Sequence, residues 1–168
     1  MGIRAERPND VSQVRLVNLA AFETAAEANI VDVLRNEAHP TISLVAEVDG
    51  EIVGHILFSP VTVSSRPGLF ALGLAPMAVV PSHQRLGIGS ALVEQGIEEC
   101  RRIGAAAVVV LGHPPFYPRF GFVPASTFGV RCEYEVPDEV FMAMELARGV
   151  FTEAKGGIVS YHPAFASV

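Results

Sequence analysis

The chain has 168 residues, half of them hydrophobic, which suffices for one domain with a sizeable core and is short for two domains of typical size. Twelve basic against eighteen acidic residues give a net charge of −6, and Lys155 is the single lysine. Because nucleic-acid binders usually carry a basic stripe, nucleic acid and anionic membranes are not expected partners. No stretch reaches the roughly 20 apolar residues that span a bilayer, and the first residues lack the apolar region of a signal peptide. We therefore expect a soluble cytoplasmic protein.

The cysteines indicate no metal site. Cys100 and Cys132 have neither metal-ligand spacing nor the number needed for a disulfide framework. We expect both to be reduced packing residues, with a disulfide or a reactive thiol as the alternative.

The first predicted elements are a short strand over Ile3–Glu6 and two helices. The first helix is predicted by apolar residues at three- and four-residue spacing, namely Val11, Val14, Val17 and Ala21. Thr24 and Glu27 match a capping box, in which each side chain binds a backbone N–H at a helix start. The second helix therefore begins there, with Ala28, Val31 and Leu34 on its buried face.

From Thr41 the hydrophobic period changes to two, which predicts strands. Ile42, Leu44, Ala46 and Val48 alternate with other residues, and Asp49-Gly50 is a strong two-residue hairpin signal. The third strand is predicted over residues 52–63 and the fourth over residues 69–80. Pro76 lies inside the fourth strand, so we expect a bulge or a lost hydrogen bond at that point.

A crossover unit follows the fourth strand. Residues 87–103 have the pattern of an amphipathic helix, Gly104 is a suitable C-terminal cap, and residues 105–111 form an apolar run typical of a strand covered on both faces. A Pro- and aromatic-rich segment, with one further short helix as an option, precedes a strand over residues 140–146.

The order of elements predicts an α/β (α+β) fold with a mixed, mostly antiparallel sheet of about six to seven strands flanked by helices. We expect a single domain over residues 1–148, with a C-terminal tail, residues 149–168, packed on it.

The junction of the fourth strand and the third helix carries the functional signal. Gly87 and Gly89 allow backbone N–H groups to approach a ligand, and a helix N-terminus attracts anions, so we expect a pyrophosphate site. A P-loop would need a lysine that Gly89-Ser90-Ala91 lacks, and the dinucleotide-binding fingerprint would need a third glycine.

Gln84-Arg85-Leu86-Gly87-Ile88-Gly89 resembles the Q/R-x-x-G-x-G/A signature of the GNAT superfamily of N-acetyltransferases. The resemblance extends over residues 108–114, 117–122 and 157–165, which are similar to a bacterial YhbS-like subgroup of that superfamily. It thus covers nearly the whole chain.

The resemblance implies an acetyl-CoA cofactor with CoA as product, and a sheet splayed at the fourth strand. It implies that the pantetheine arm pairs with the fourth strand and that the signature loop wraps the pyrophosphate. The implied cofactor-binding residues are Met77, Ala78, Val79, Gln84, Arg85, Leu86, Gly87, Ile88, Gly89 and Ser90. A homodimer is a further expectation from family analogy.

The resemblance also implies catalytic roles. Tyr117 matches the position of the family's general acid, and a protonated phenol suits the release of a thiolate. The Val79 backbone N–H would stabilise the oxyanion that forms when an amine attacks the thioester. Packing beside neighbouring phenylalanines is the alternative role for Tyr117.

The general base is open. His113, at the end of the fifth strand, is one candidate. Glu23 and Glu27, at the junction of the first two helices, and His83, expected to be exposed, are others. His55 is expected to be a satisfied core or edge histidine.

The sequence thus predicts an acetyl-CoA-dependent N-acetyltransferase acting by direct attack in a ternary complex. Its acceptor is the primary amine of a small molecule, peptide or protein. The alternatives are a non-catalytic acyl-CoA-binding or regulatory module of the same fold, and an O- or S-acyl acceptor.

Overall fold

The computed structural model describes residues 1–167. Its three α-helices are α1, Val11–Ala21, α2, Ala26–Glu37, and α3, Ile88–Arg102. All three were predicted from apolar spacing, and the buried residues fall on the expected faces. Gly104 has a φ of 88° and follows the end of α3, as expected of a C-terminal cap.

The predicted capping box at the start of α2 is wrong. The helix begins at Ala26 with Ala25 as its N-cap, so Glu27 is the second helical residue instead of the third. From that position a glutamate points along the helix face and does not reach back to the N-cap N–H. Thr24 contributes a single 3.3 Å hydrogen bond, from the Ala26 N–H to its hydroxyl.

Nine strands occur within residues 1–167, and the principal neighbours follow the order β1-β2-β3-β4-β5-β8-β6. The fold class is confirmed as a mixed, mostly antiparallel sheet with helices. The strands beyond the predicted number are two or three residues long, too short for an alternating pattern. The strands are β1, Gly2–Ala5; β2, Ile42–Val48; β3, Glu51–Val63; β4, Ala71–Val79; β5, Ala107–Leu111; β6, Val123–Pro124; β7, Arg131–Cys132; β8, Phe141–Glu145; and β9, Ile158–Ser160.

The β2–β3 hairpin has the predicted turn. Asp49 and Gly50 have φ values of 50° and 80°, which is the left-handed pair of a type I′ turn. The turn sets the antiparallel register in which Leu44 lies opposite Ile56. The segment after β5 contains 3₁₀ turns, Tyr117–Phe120 and Ala125–Phe128, in place of the optional short helix.

β4 pairs with β5 in parallel, and only the first part of β4 takes part in this pairing. Its parallel ladder with β5 covers Ala71–Gly73 against residues 107–109, so Met77–Val79 lie beyond the end of that ladder. Pro76, which lacks an N–H, occupies the interior of the strand as predicted, and the Ala75–Pro76 peptide bond is cis.

The chain divides into two compact units, and β3 and β4 contribute residues to both. Unit 1 comprises residues 1–59, 75–99 and 163–167. Its core is a hydrophobic cluster in which side chains of α1 and α2 pack against β2, β3 and Ala78 of β4. Burial of this face of each helix is the main source of its stability.

Unit 2 comprises residues 60–74 and 100–162 and contains most of the C-terminal segment. Phe151 is buried and stacks on Phe128 at a centroid distance of 5.0 Å. β9 pairs with the end of β3 and with β7. The last turn lies in unit 1, where Phe165 packs against the hydrophobic cluster.

Within residues 1–167, none of the helices combines the length and the apolar character needed to cross a bilayer.

Candidate functional site

The end of β4 and the loop after it form one hydrogen-bonded segment in unit 1. The Val80 N–H donates to the Val53 carbonyl at 2.9 Å, which holds the end of β4 against β3. The Gln84 side-chain amide donates to the Val79 carbonyl at 2.9 Å. The segment between these two bonds is a single 3₁₀ turn, Pro81–His83. The loop is thereby tied back to the strand that precedes it.

The loop from Gln84 to Gly87 is exposed and has an unusual backbone conformation. Arg85 and Gly87 have φ values of 63° and 84°, so two of these residues adopt the left-handed conformation. Alternation of this conformation with ordinary backbone turns successive N–H groups toward a common side, which favours anion binding. A Cβ on Gly87 would meet no heavy atom of the described residues within 4 Å, and the loop from Gln84 to Gly87 is exposed.

α3 begins immediately after this loop. Its first turn supplies N–H groups that have no carbonyl partner within the helix, together with the positive end of the helix dipole. The Ala91 N–H donates to the Gly87 carbonyl at 3.0 Å, so the loop glycine is the residue that caps the start of α3. The two glycines predicted to bind an anion, Gly87 and Gly89, therefore lie at the N-terminus of α3.

Two glycines allow α3 to lie close to β3, and the sequence pattern did not reveal this role. A Cβ on Gly54 would lie 3.1 Å from side-chain atoms of both Ile88 and Leu92. A Cβ on Gly96 would lie 2.3 Å from Cε1 of Phe58. This close packing sets the position of the N-terminus of α3 relative to β3. In the sequence, the sign of this close packing is a glycine within a helical pattern, and that glycine does not reveal which residue packs against it.

Tyr117 lies in unit 2, where its ring is packed and 7% exposed. Phe116 and Phe122 contact the ring edge-on, and a Cβ on Gly112 would lie 2.2 Å from its Cε2. Burial raises the pKa of the Tyr117 phenol to about 12. The phenol therefore stays protonated at neutral pH, as a proton donor must.

The remaining histidine candidates differ in environment. His113 is exposed, and its carbonyl accepts the N–H groups of Phe116 and Tyr117, so it begins the turn that carries Tyr117. His83 is half-buried instead of exposed, and its Nδ1 lies 2.9 Å from the Ser82 hydroxyl.

His55 is a satisfied core histidine, as predicted. It is fully buried, with its Nδ1 3.2 Å from the Asn18 side-chain nitrogen and its Nε2 2.8 Å from the Ser43 hydroxyl. Ser43 in turn donates to Glu6, which is paired with Arg35. Burial, with a smaller effect of Arg35, lowers the pKa of His55 to about 3.

Two buried side-chain oxygen atoms near the α1–α2 junction lack a hydrogen-bond donor among the described residues, which the sequence pattern did not predict. These atoms are Asn18 Oδ1 and Glu27 Oε2. A helical pattern shows that these positions face inward, and it does not show whether a side-chain oxygen there finds a donor.

A model of the acetyltransferase (GNAT) family matches residues 13–122. The chain belongs to the GNAT family of acetyltransferases. It is 36% identical over 166 residues to the uncharacterized N-acetyltransferase YhbS of Escherichia coli K12, and the match covers 98% of each protein.

Two solved GNAT structures resemble the chain over nearly its whole length. Escherichia coli YhbS, solved in complex with CoA, has a TM-score of 0.91 at 34% identity, covering 98% of this chain and 91% of that one. A GNAT acetyltransferase of Brucella melitensis, solved in complex with acetyl-CoA, has a TM-score of 0.80 at 35% identity. The match covers 98% of this chain and 97% of the Brucella melitensis chain.

The GNAT signature residues fit a phosphate-bearing ligand. The open Cβ side of Gly87, the exposed loop and the helix N-terminus provide backbone donors without steric obstruction. Met77–Val79 and residues 84–90 lie together in unit 1, whereas His113 and Tyr117 belong to unit 2.

Proposed function

We propose that the protein is an acetyl-CoA-dependent N-acetyltransferase that transfers an acetyl group to a primary amine in a ternary complex. The observation that carries the proposal is the signature loop, which places left-handed Arg85 and Gly87 at the start of α3 and is tied to Val79 by Gln84. The CoA-bound and acetyl-CoA-bound neighbours support the same ligand class.

The cofactor-binding residues have two roles in this proposal. The backbone of Met77, Ala78 and Val79, beyond the β4–β5 ladder, pairs with the pantetheine arm. The backbone from Arg85 to Ser90 binds the pyrophosphate, and Gln84 holds the loop in place. Bound acetyl-CoA supplies the acetyl group as a thioester.

Three residues have catalytic roles in this proposal. The Val79 N–H donates to the thioester oxygen as it gains negative charge, an oxyanion-hole contribution of roughly 3 kcal/mol. The Tyr117 hydroxyl, kept protonated by burial, donates a proton to the departing sulfur. His113, at the start of the same turn, accepts the proton of the attacking amine.

In this proposal the acetyltransferase is a single domain with a C-terminal tail. Residues 1–148 make up the acetyltransferase domain, and the tail, residues 149–168, belongs to it. The acceptor is a small molecule, a peptide or a protein that carries a primary amine.

Calorimetric titration with acetyl-CoA tests the cofactor assignment. Wild type is expected to bind one equivalent saturably. Gly89→Glu, which adds a carboxylate at the N-terminus of α3, is expected to abolish binding. Gln95→Glu is the matched control, because it adds the same charge to an exposed position of the same helix. Loss of binding in both variants, or no binding by folded wild type, would refute the phosphate site.

A screen of primary amines then tests transfer. Acetylated product from at least one amine would support the enzyme. Saturable binding of acetyl-CoA without transfer to any amine, alcohol or thiol would support the non-catalytic module instead.

A further inference from the structure

Gly112 follows the last residue of β5, and its backbone conformation does not require a glycine. Its φ lies outside the left-handed region, in contrast to that of Gly121, which is 104°. The Gly112 N–H donates to the Val140 carbonyl at 3.0 Å, which extends the pairing of β5 with β8 by one residue. The backbone at Gly112 is therefore one that any residue can adopt, and it is held in place by the neighbouring strand.

The space beside Gly112 is filled by the ring of Tyr117. A Cβ on Gly112 would lie 2.2 Å from Cε2, 2.7 Å from Cδ2 and 3.2 Å from Cζ of that ring, and these are its three nearest atoms. One edge of the ring thus occupies the place where another residue would have its side chain. The requirement for glycine at this position is steric, and it comes from Tyr117.

The Tyr117 ring has packed neighbours besides Gly112. Phe116 and Phe122 meet it edge-on, at centroid distances of 5.0 and 5.8 Å, and Phe122 is 1% exposed. The His113 carbonyl accepts the N–H groups of Phe116 and Tyr117 at 3.0 and 3.4 Å, so the segment after Gly112 folds back onto the end of β5. Displacement of the ring would therefore disturb several contacts within unit 2.

A side chain at residue 112 would move the Tyr117 hydroxyl. Carbon atoms in contact are about 3.5 to 4.0 Å apart, so an added Cβ would displace the ring edge by about 1 Å. The hydroxyl is bonded to Cζ, next to the contacted Cε2, and moves with the ring. A proton donor acts only within hydrogen-bond reach, and a misplacement of about 1 Å can lower a rate by about 100-fold.

We propose that Gly112 is a positioning residue for acetyl transfer, because its lack of a side chain sets the place of the Tyr117 ring and thereby of the phenol that donates a proton. The inference rests on the proposed function, in which the Tyr117 hydroxyl protonates the departing sulfur. Gly112 itself touches neither the acceptor nor acetyl-CoA in this proposal. It acts through Tyr117.

Steady-state kinetics of a double-mutant cycle test the role. Gly112→Ala should lower kcat roughly tenfold or more and leave the Kd for acetyl-CoA unchanged. In a Tyr117→Phe background, which keeps the ring and lacks the proton donor, Gly112→Ala should lower kcat no further.

The matched control is Gly68→Ala, at an exposed turn of the same unit. Its φ also lies outside the left-handed region, and a Cβ there meets no heavy atom of the described residues within 4 Å. This variant should keep the wild-type kcat.

NMR of the full chain with ring-labelled tyrosine tests the contact without a measurement of activity. The chain has three tyrosines, Tyr117, Tyr134 and Tyr161, so the ring signals of Tyr117 are assigned by their loss in Tyr117→Phe. Gly112→Ala should shift these signals, whereas Gly68→Ala should leave them in place. In wild type, a nuclear Overhauser effect between the Gly112 Hα protons and the Tyr117 ring should be present both without and with acetyl-CoA.

Three results would overturn the proposal. They are a wild-type kcat in folded Gly112→Ala, an equal loss of kcat from this change with and without the Tyr117 hydroxyl, and disappearance of the wild-type Overhauser effect when acetyl-CoA is added. The last measurement uses wild type alone, so it decides the matter even if Gly112→Ala fails to fold.

The same experiments separate this proposal from the proposed function. If wild type transfers acetyl groups and Gly112→Ala is equally active, the positioning role alone is refuted. If folded wild type transfers an acetyl group to no acceptor, the proposed function is refuted. A Tyr117 ring that shifts in Gly112→Ala would then still support the placement of the ring by Gly112.

Discussion

The Gln84 side chain closes the signature loop onto the strand before it, by donating from Nε2 to the Val79 carbonyl oxygen at 2.9 Å. One residue thus connects the loop assigned to the pyrophosphate with the residue whose N–H is assigned to the thioester oxygen. The glutamine position of the GNAT signature consequently has a structural role in this chain, which is to set the loop relative to β4.

Replacement of Gln84 by Met should weaken acetyl-CoA binding. Methionine keeps the side-chain length and removes the donor, and one hydrogen bond contributes about 1 kcal/mol, so the Kd should rise roughly fivefold. Calorimetry measures the change. Ser82→Ala, which alters a neighbouring exposed side chain, should leave the Kd unchanged. An unchanged Kd in Gln84→Met would show that the loop keeps its conformation without this bond.

Tyr117→Phe should lower kcat by about 100-fold or more while the Kd for acetyl-CoA stays the same, because the change removes a proton donor and keeps the packed ring. Since burial raises the pKa of Tyr117 to about 12, its loss of a proton should add no limb to the wild-type rate profile below about pH 10. Steady-state kinetics and calorimetry test this.

The matched control for Tyr117 is Tyr134→Phe, which removes a phenol elsewhere in the same unit and should retain activity. If kcat and acetyl-CoA affinity fall together in Tyr117→Phe, the residue has a packing role instead of a catalytic one.

His55 should make the protein less stable as pH falls from about 6.5 toward 3. Its pKa is about 3 in the folded state against an ordinary histidine value of 6.5, so protons bind preferentially to the unfolded chain in that window. The stabilisation is fully present above about pH 6.5 and is lost by up to about 1.4 kcal/mol per pH unit below it.

Urea unfolding at about pH 7, 6, 5 and 4 measures this dependence. His55→Gln should flatten the curve relative to wild type, whereas His39→Gln, at an exposed histidine, should preserve it. The groups around His55 are Asn18, Ser43, Glu6 and Arg35, and they are present in both proteins. Parallel curves for His55→Gln and wild type would contradict the prediction.

Gly96→Ala should destabilise the protein although alanine favours helices by about 1 kcal/mol. Its Cβ would lie 2.3 Å from Cε1 of Phe58, a fully buried ring, and overpacking costs about 1 to 3 kcal/mol. In a Phe58→Leu background the same change should become neutral or stabilising. Denaturant unfolding of wild type, the two single variants and the double variant measures these effects on stability. Equal effects of Gly96→Ala in both backgrounds would mean that the Phe58 ring moves away freely.

Local patterns were sufficient where the structure depends on neighbours in the chain. The spacing of Val11, Val14 and Val17 predicted α1, and Asp49-Gly50 predicted the hairpin that pairs β2 with β3. The predicted capping box was wrong, although Thr24 and Glu27 match the motif. The helix starts at Ala26 instead, and that start depends on packing of the helix against the core.

The sequence by itself determined the helices, the long strands and the glycine-containing loop before α3, because periodicity and glycine placement are short-range properties of the backbone. Only the tertiary structure decided that Phe58 fills the space left by Gly96, and that Asn18 and Glu27 each leave an inward oxygen without a donor among residues 1–167. Such relationships join residues distant in sequence. Whether a buried atom finds a partner depends on how whole elements pack, which no local pattern encodes.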